Sequence, residues 1–433
     1  MPPSTVVVLA DDLTSAADGA APFRRNGHRA LVLFAPEGAA RDSGVTAVDL
    51  GTRLLGEQEA AARTREAAAA YADAELLIKT VDSTLRGHVA AELRAALAGS
   101  GRRTAILAPA FPAEGRTTVG GVQYVGGVRV DASDFARDPA HPVHSADLAR
   151  LLPEAVVLDP VGGPAPVSGP ASAAAADPGL ASPCDSGPAR TAGPARTLGS
   201  HPVPAPPPAF RPDSASGPGG DPGPFAELPR LVDAGGILVC SATTDADLDA
   251  VVAAVPRPQD VLWVGSPGLA DALARRHARR PADPRPGLPA VRRPLTVVGS
   301  ANPVSRRQLA ALRARPTGSR PPVAALHTPE ERAADPADAA ALIRRLAEET
   351  RQRTEDGLAD GLVLTGGETA AAVLGALGGT GIELYDEPEP GIARGILHGA
   401  EAPRLPVLVK AGGFGDDGAL VRLHALVAAG GDR

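Results

Sequence analysis

Short apolar runs of strand length alternate with helix-length segments along most of this chain, and that alternation narrows the folds open to it. TVVVLA (5–10), ALVLF (30–34), ELLIKT (75–80) and TAILAP (104–109) are spaced by helical patterns in SAADGAAPFRRNG, GEQEAAARTREAAAAYADA and VAAELRAALAG. Later, GILVCSA (236–242) and VLWVGS (261–266) add strand candidates, and the pattern resumes with LTVVGS, VSRRQLAALRA, VAALHT, a long helix over Pro336 to Arg353, GLVLTGG, ETAAAVLGALG, LPVLVKAGG and ALVRLHALVAAG. Strands alternating with helices build βαβ units and parallel sheets. At 433 residues the chain exceeds what one core usually holds. The expected fold class is therefore α/β, with two domains, each a mainly parallel sheet flanked by helices, and the active site in the cleft between them.

Composition marks the expected boundaries. Residues 1–159 form an amino-terminal domain, 160–225 a Pro/Ala/Gly-rich low-complexity insert with too few large apolar residues to bury, 226–290 its completion or a connection, and 291–433 a carboxy-terminal domain. A formal charge of −7 without basic runs argues against nucleic acid as a partner. No apolar run approaches the roughly 20 residues of a membrane helix, and TVVVLADD begins without a charged leader. Cys184 and Cys240 form no CxxC, which points to a reduced compartment. The expected setting is the cytoplasm, away from membranes.

Ligands of open α/β sheets bind beyond the carboxyl ends of the strands. Six apolar runs here end in unusual polar or glycine-rich stretches: ADDLT (10–14), KTVDSTLRG (79–87), APAFPAEGRTT (108–118), GSANP (299–303), TGGET (365–369) and KAGGFGDDG (410–418). The first three carry paired acids with Lys79, Arg86 and Arg116, suited to a small polyhydroxylated anion. The last three are glycines and hydroxyls entering helices, where free backbone N–H groups favour phosphates. Sugar-like acid on one side and nucleotide on the other is a kinase arrangement. Plainer readings exist: Asp11 or Asp12 could merely cap the next helix, DSTLRG could be a helix-entry turn, and the glycine turns could be ordinary connections.

Lysine occurs only at Lys79 and Lys410, every other basic residue being arginine. An ammonium is a compact point charge where guanidinium is a planar fork, so Lys79 reads as a contact to a single oxygen. The chain contains no G-x-x-x-x-G-K-[ST], no G-x-G-x-x-G after its first strand and no G-x-S-x-G. His141 and His144 in HPVH have metal-like spacing, but Pro142 between them favours a loop-structuring role; no metal-ligating residue is assigned.

The segments ADDLTSAAD, KTVDSTLRGHVAAEL, APAFPAEGRTTVGGVQYV, DFARDPAHPV, VGSPGLADALA, VGSANPVSRRQ, LTGGETAAAVL and LVKAGGFGDDGAL together resemble the four-carbon acid sugar kinase family. The resemblance spans both halves in order and omits only the insert. It implies phosphorylation of threonate, erythronate or 3-oxo-tetronate with ATP and Mg²⁺. Carried over by position, it implies acid-sugar binding by Asp11, Arg53, Lys79, Asp82, Ser83, Thr84 and Arg86. It likewise implies ATP binding by Ser300, Gly366, Gly367, Glu368, Thr369 and Gly412. Departures from the common pattern are Ser15 in place of glycine, His88 in place of asparagine and Ala393 in place of proline. Phosphoryl transfer needs positioning, charge stabilisation and a carboxylate to accept the hydroxyl proton; Asp82 is the first candidate, Asp12 the second, with Lys79 neutralising charge. Arg53 or Arg86 would take the substrate carboxylate. Alternatives from other classes are a non-catalytic sugar-acid sensor and a sugar-acid oxidoreductase. A homo-oligomer is left open.

Overall fold

In the computed structural model the run VVVLA becomes strand β1 (Val6–Ala10), buried along its whole length, so both of its faces must be covered. The structure describes residues 6–35, 44–138, 141–160, 225–279, 287–316, 323–329, 336–399 and 404–428. The insert expected over 160–225, save its two end residues, and Cys184 lie outside the described residues. No helix among the described residues is long and apolar enough to cross a membrane.

After β1 come α1 (Leu13–Arg25), β2 (Ala30–Leu33), β3 (Val45–Asp49), α2 (Glu57–Ala70), β4 (Leu76–Thr80), α3 (Val89–Ser100) and β5 (Thr104–Ala108). Then follow β6 (Arg116–Val119), β7 (Val122–Val125), β8 (Val128–Arg129), α4 (Leu148–Leu151), β9 (Val156–Leu158), α5 (Leu228–Ala234), β10 (Gly236–Cys240), α6 (Asp245–Ala253), β11 (Val261–Gly265) and α7 (Pro267–Arg276). The remainder is β12 (Pro294–Val298), α8 (Pro303–Arg313), β13 (Ala324–His327), α9 (Pro336–Glu355), β14 (Gly361–Thr365), α10 (Gly367–Ala376), β15 (Gly381–Glu389), β16 (Ile392–His398), β17 (Pro406–Lys410) and α11 (Ala419–Ala428).

Fourteen of these strands form one sheet in the order β13-β12-β14-β17-β16-β15-β2-β3-β1-β4-β11-β5-β10-β9, and β6-β7-β8 form a small second one. Strands β10 and β11 sit among β4 and β5, so this part of the 226–290 segment completes the amino-terminal sheet. The two parallel sheets anticipated from sequence are joined edge to edge. Residues Gly381–Glu383 of β15 pair antiparallel with Leu31–Leu33 of β2, and β15, β16 and β17 are antiparallel in turn.

Alternation along β1 divides the core. Val6, Val8 and Ala10 face a cluster with α1 and α7, while Val7 and Leu9 face one built with Ala67 and Ala68 of α2 and Leu93 and Ala96 of α3. Helix α1 lies close on the sheet because Gly19 has no Cβ: one placed there would come within 2.8 Å of Val8 Cγ1 and 2.9 Å of Thr80 Cγ2. The VGSPGLADALA segment is explained by packing. Ser266 Oγ donates to Ala110 O at 2.6 Å, and Gly268 lets α7 approach that same carbonyl.

One buried ion pair ties β4 to α3. Lys79 Nζ is 2.6 Å from Glu92 Oε2, both side chains being at most 3% exposed, and donates to Thr80 O at 2.7 Å. The ammonium therefore lies beneath the strand end, held by Glu92. Glu92→Gln leaves that charge without a counter-ion and should destabilise the fold by roughly 3–5 kcal/mol, whereas Lys79→Met with Glu92→Leu should recover most of the loss. Urea unfolding of the two variants measures both values; equal losses would refute the pairing.

Candidate functional site

Strand β1 delivers two acids in succession. Asp12 caps α1, its Oδ1 accepting from Ser15 N at 2.7 Å and Thr14 Oγ1 at 3.0 Å, so the plain capping role is real. Its Oδ2 and both oxygens of Asp11 are gripped by Arg53. Nε of Arg53 donates to Asp11 Oδ2 at 2.8 Å, Nη2 to Asp11 Oδ1 at 3.0 Å and Ser15 Oγ at 3.0 Å, and Nη1 to Asp12 Oδ2. Burial alone would raise the Asp11 carboxyl, but Arg53 and Lys79 outweigh it and hold it below the usual carboxylate range. Against the same burial, Asp11, Asp12 and Asp82 keep Arg53 firmly protonated.

The second acid group comes from the turn after β4. Asp82 Oδ1 accepts from Thr84 N at 2.8 Å and Thr84 Oγ1 at 2.7 Å, and Oδ2 accepts from Arg86 Nε at 2.6 Å. Arg53 Nη1 stands 3.9 Å from Asp82 Oδ2, joining the two groups. Burial is opposed by Arg86, Arg53 and Thr84, and Asp82 is held well below its ordinary value. This turn runs through Leu85 at φ 61 and Gly87 at φ 85; the leucine is a left-handed, strained residue fixed by Leu85 N donating to Asp82 O at 2.8 Å. Ser83 is buried here, its carbonyl accepting from Gln123 Nε2 at 2.7 Å.

The carboxy-terminal residues named from sequence also converge. Gly366, at φ 99, precedes α10 without a side-chain cap. A Cβ on Gly412 would lie 2.4 Å from Ser300 Oγ, and one on Gly366 3.4 Å from both Ser300 Cβ and Thr369 Oγ1. The result is a cradle of bare backbone and hydroxyls at a helix amino terminus, suited to phosphate. Lys410 lies under it: its buried ammonium donates to Ala411 O at 2.8 Å and Phe414 O at 2.9 Å, and burial pushes its pKa down to about 8. It supports the loop from inside.

The two groups meet. A Cβ on Gly367 would stand 2.5 Å from Asp12 Oδ2 and 3.2 Å from Thr14 Oγ1. Glu368 is raised by burial and then by Asp12, while Arg53 and Arg86 lower it. A second bridge is Arg116, which donates to the carbonyl and carboxylate of Glu114, reaches Gly413 O at 3.3 Å through Nη2, and stacks on Phe414 at 5.3 Å. Phe111 meets Phe414 edge-on, with ring centroids 5.8 Å apart. Arg116 was legible only as one cation of its segment.

Asp49, His141 and Ser305 were not assigned to the site from sequence. Ser305 Oγ donates to Gly412 O at 2.7 Å. Asp49 ends β3 opposite Ala10, so the run VTAVD, had it been read as a strand, would have flagged it. Burial, then the charge of Asp12, raises the Asp49 carboxyl to about 7 even though Gly51 N donates to it at 2.8 Å. A carboxyl protonated in the native state above its unfolded pKa contributes stability that is lost as pH rises through about 7. Because the loss begins near the unfolded pKa of about 4 and is complete above about 7, Asp49→Asn should gain roughly 2–4 kcal/mol more over the parent at pH 8.5 than at pH 4. Thermal denaturation at both pH values reads this; a pH-independent difference would contradict it.

Comparison with known proteins bears on both halves. Residues 6–163 match the family model described as a sugar-binding N-terminal domain, and residues 339–420 one described as a nucleotide-binding C-terminal domain. The chain is 34% identical to a D-threonate kinase of Bordetella bronchiseptica, over 96% of this chain and 95% of the relative. It is 35% identical to a D-erythronate kinase of Heliobacterium modesticaldum, over only 34% of this chain and 36% of the relative. A crystallised Haemophilus influenzae protein shares the fold, with a TM-score of 0.61 at 16% identity over 98% of this chain and 100% of that one.

Proposed function

This chain belongs to the four-carbon acid sugar kinase family and is a sugar-acid kinase, and from that premise we propose that it transfers the γ-phosphoryl group of ATP to D-threonate. Membership sets aside the sensor and oxidoreductase alternatives. The choice of acid is supported by relatives named D-threonate kinase matching 96% of this chain, against about a third for those named erythronate or 3-oxo-tetronate kinase. The observation that carries the reading is the closeness of Gly367 to Asp12, whose Oδ2 a Cβ there would meet at 2.5 Å: the phosphate-suited turn abuts the acid-and-arginine cluster.

Residue roles follow from what each side chain has left to offer. Arg86 is the better receiver of the substrate carboxylate, because its side chain is 25% exposed against 14% for Arg53, which is spent on Asp11 and Asp12. Of the two proton acceptors considered, Asp82 is neutralised by Arg86, Arg53 and Thr84, which makes it a weak base. Asp12 borders the turn where the γ-phosphate would sit, so the order expected from sequence is reversed: Asp12 accepts the hydroxyl proton and Asp82 orients Arg86. Lys79, held by Glu92, acts through its charge on Asp11. The turn of Gly366 and Gly367, with Ser300, Thr369 and Gly412 packed closely around it, would hold ATP phosphates on bare backbone N–H groups at the α10 amino terminus. Glu368 would stand at its edge. Among the described residues no group of three or more His, Cys, Asp or Glu side chains could hold a metal ion. Mg²⁺ in this proposal therefore travels with the nucleotide, where it offsets phosphate charge.

With ATP and Mg²⁺ the protein should release ADP with D-threonate and little with neutral tetroses, measured by a coupled assay. ATP binding without stimulation by any four-carbon acid would overturn the substrate. Asp12→Asn preserves the helix cap and should lower kcat by roughly 10²–10⁴ with ATP affinity little changed. Asp82→Asn should chiefly raise KM for the acid. The opposite pattern would return the base to Asp82.

A further inference from the structure

Two histidines stand beside the acid cluster without a part in the roles above. His88 follows Gly87, where a Cβ would meet Asp11 Oδ2 at 3.4 Å. Its Nε2 lies 2.7 Å from Leu55 O. A carbonyl only accepts, so Nε2 carries a proton and donates it there. His141 meets this ring edge-on, with centroids 5.7 Å apart and planes at 87°. Its backbone N donates to Asp138 Oδ1 at 3.0 Å, and Asp138 Oδ2 is 3.6 Å from Arg86 Nη1. Both rings are thereby fixed relative to the guanidinium assigned to the substrate carboxylate.

His141 Nε2 is shielded from solvent and has no hydrogen-bond partner. Buried polar atoms without partners are rare and call for an explanation. The charged and titratable groups around the ring are Arg53, His88, Asp138 and Asp11, and burial, then Arg53 and His88, holds it below the usual imidazole value. An uncharged imidazole presents one donor and one acceptor, which suits a hydroxyl group better than a carboxylate.

We propose that His141, braced by His88, is a specificity-determining residue whose Nε2 hydrogen-bonds one interior hydroxyl of the sugar acid, so that the site selects hydroxy acids over analogues lacking that hydroxyl. The inference rests on the sugar-acid reading above and extends it to the carbon chain. A site that hydrogen-bonds a substrate hydroxyl rejects the analogue without it, because its own polar group is then left unpaired.

The test is kcat/KM for D-threonate, its 2-deoxy and 3-deoxy analogues and 3-oxo-tetronate, with the parent, His141→Asn and His141→Gln. Both substitutions are polar and compact; the amide nitrogen of glutamine reaches the Nε2 position and that of asparagine does not. The parent should discriminate against one deoxy analogue by roughly tenfold or more. His141→Asn should bring that ratio to within about threefold, and His141→Gln should keep most of it. Ratios unaltered in both variants, or uniform loss for all four acids, would overturn the inference. A parent inactive with all four acids would instead defeat the substrate reading itself.

Discussion

Arg53 is the counter-charge on which the site depends. Asp11 and Asp12 leave β1 in succession, Asp82 closes in from β4, and one guanidinium reaches all three. Buried carboxylates so close together cannot all stay ionised without a cation between them. Asp49, beyond the direct reach of that fork, shows the alternative, its carboxyl raised to about 7. Removing one partner of such a group strands the others, a cost of roughly 3–5 kcal/mol. The same economy governs Lys79 with Glu92 and Arg116 with Glu114. Cations at this end of the sheet are already matched to acids, and Arg86 is the most exposed of them.

The second constraint is topological. Between β2 and β17 the strand direction reverses at β15, β16 and β17, so the carboxyl ends of the two parallel groups point in opposite directions along the sheet. In a flat sheet Asp12 and Gly367 would lie on opposite edges. Yet a Cβ on Gly367 would stand 2.5 Å from Asp12 Oδ2, which a flat sheet would not allow. Strand twist accumulates across neighbours, and register shifts at Leu384/Asp386 and Asp386/Glu389 bend the β15–β16 hairpin. Helix α1 packs against β15, β16 and α10 as well as the strands of its own half, and its amino terminus carries Asp12 to the meeting point.

Much of this was legible in the sequence because the physics is local. Apolar runs on parallel strands had to be buried on both faces, and the polar residues ending them had to gather at strand termini; Asp11, Asp12, Asp82, Arg86 and the Gly366–Thr369 turn follow from that rule. What was not legible is long-range. Nothing near Lys79 in sequence announces Glu92 as its partner, because the pair forms only when α3 docks on β4. The hairpin of β15 and β16 was missed since GIELYDEPE carries a proline and four acids, although Pro390-Gly391 is a turn signal and Gly391 adopts φ 68. His141 looked like a loop histidine until Asp138 and His88 were placed around it.

In the proposed reading the acid-and-arginine cluster and the glycine cradle form one site in which hydroxyl and γ-phosphate meet over Asp12. A crystal structure with D-threonate and a non-hydrolysable ATP analogue tests it most directly. It should show the acid's carboxylate on Arg86, the γ-phosphate at the Gly366–Gly367 turn, and an Asp12 carboxylate oxygen about 3 Å from the attacking hydroxyl. A nucleotide bound away from that turn, or an acid whose nearest hydroxyl is closer to Asp82 than to Asp12, would contradict it.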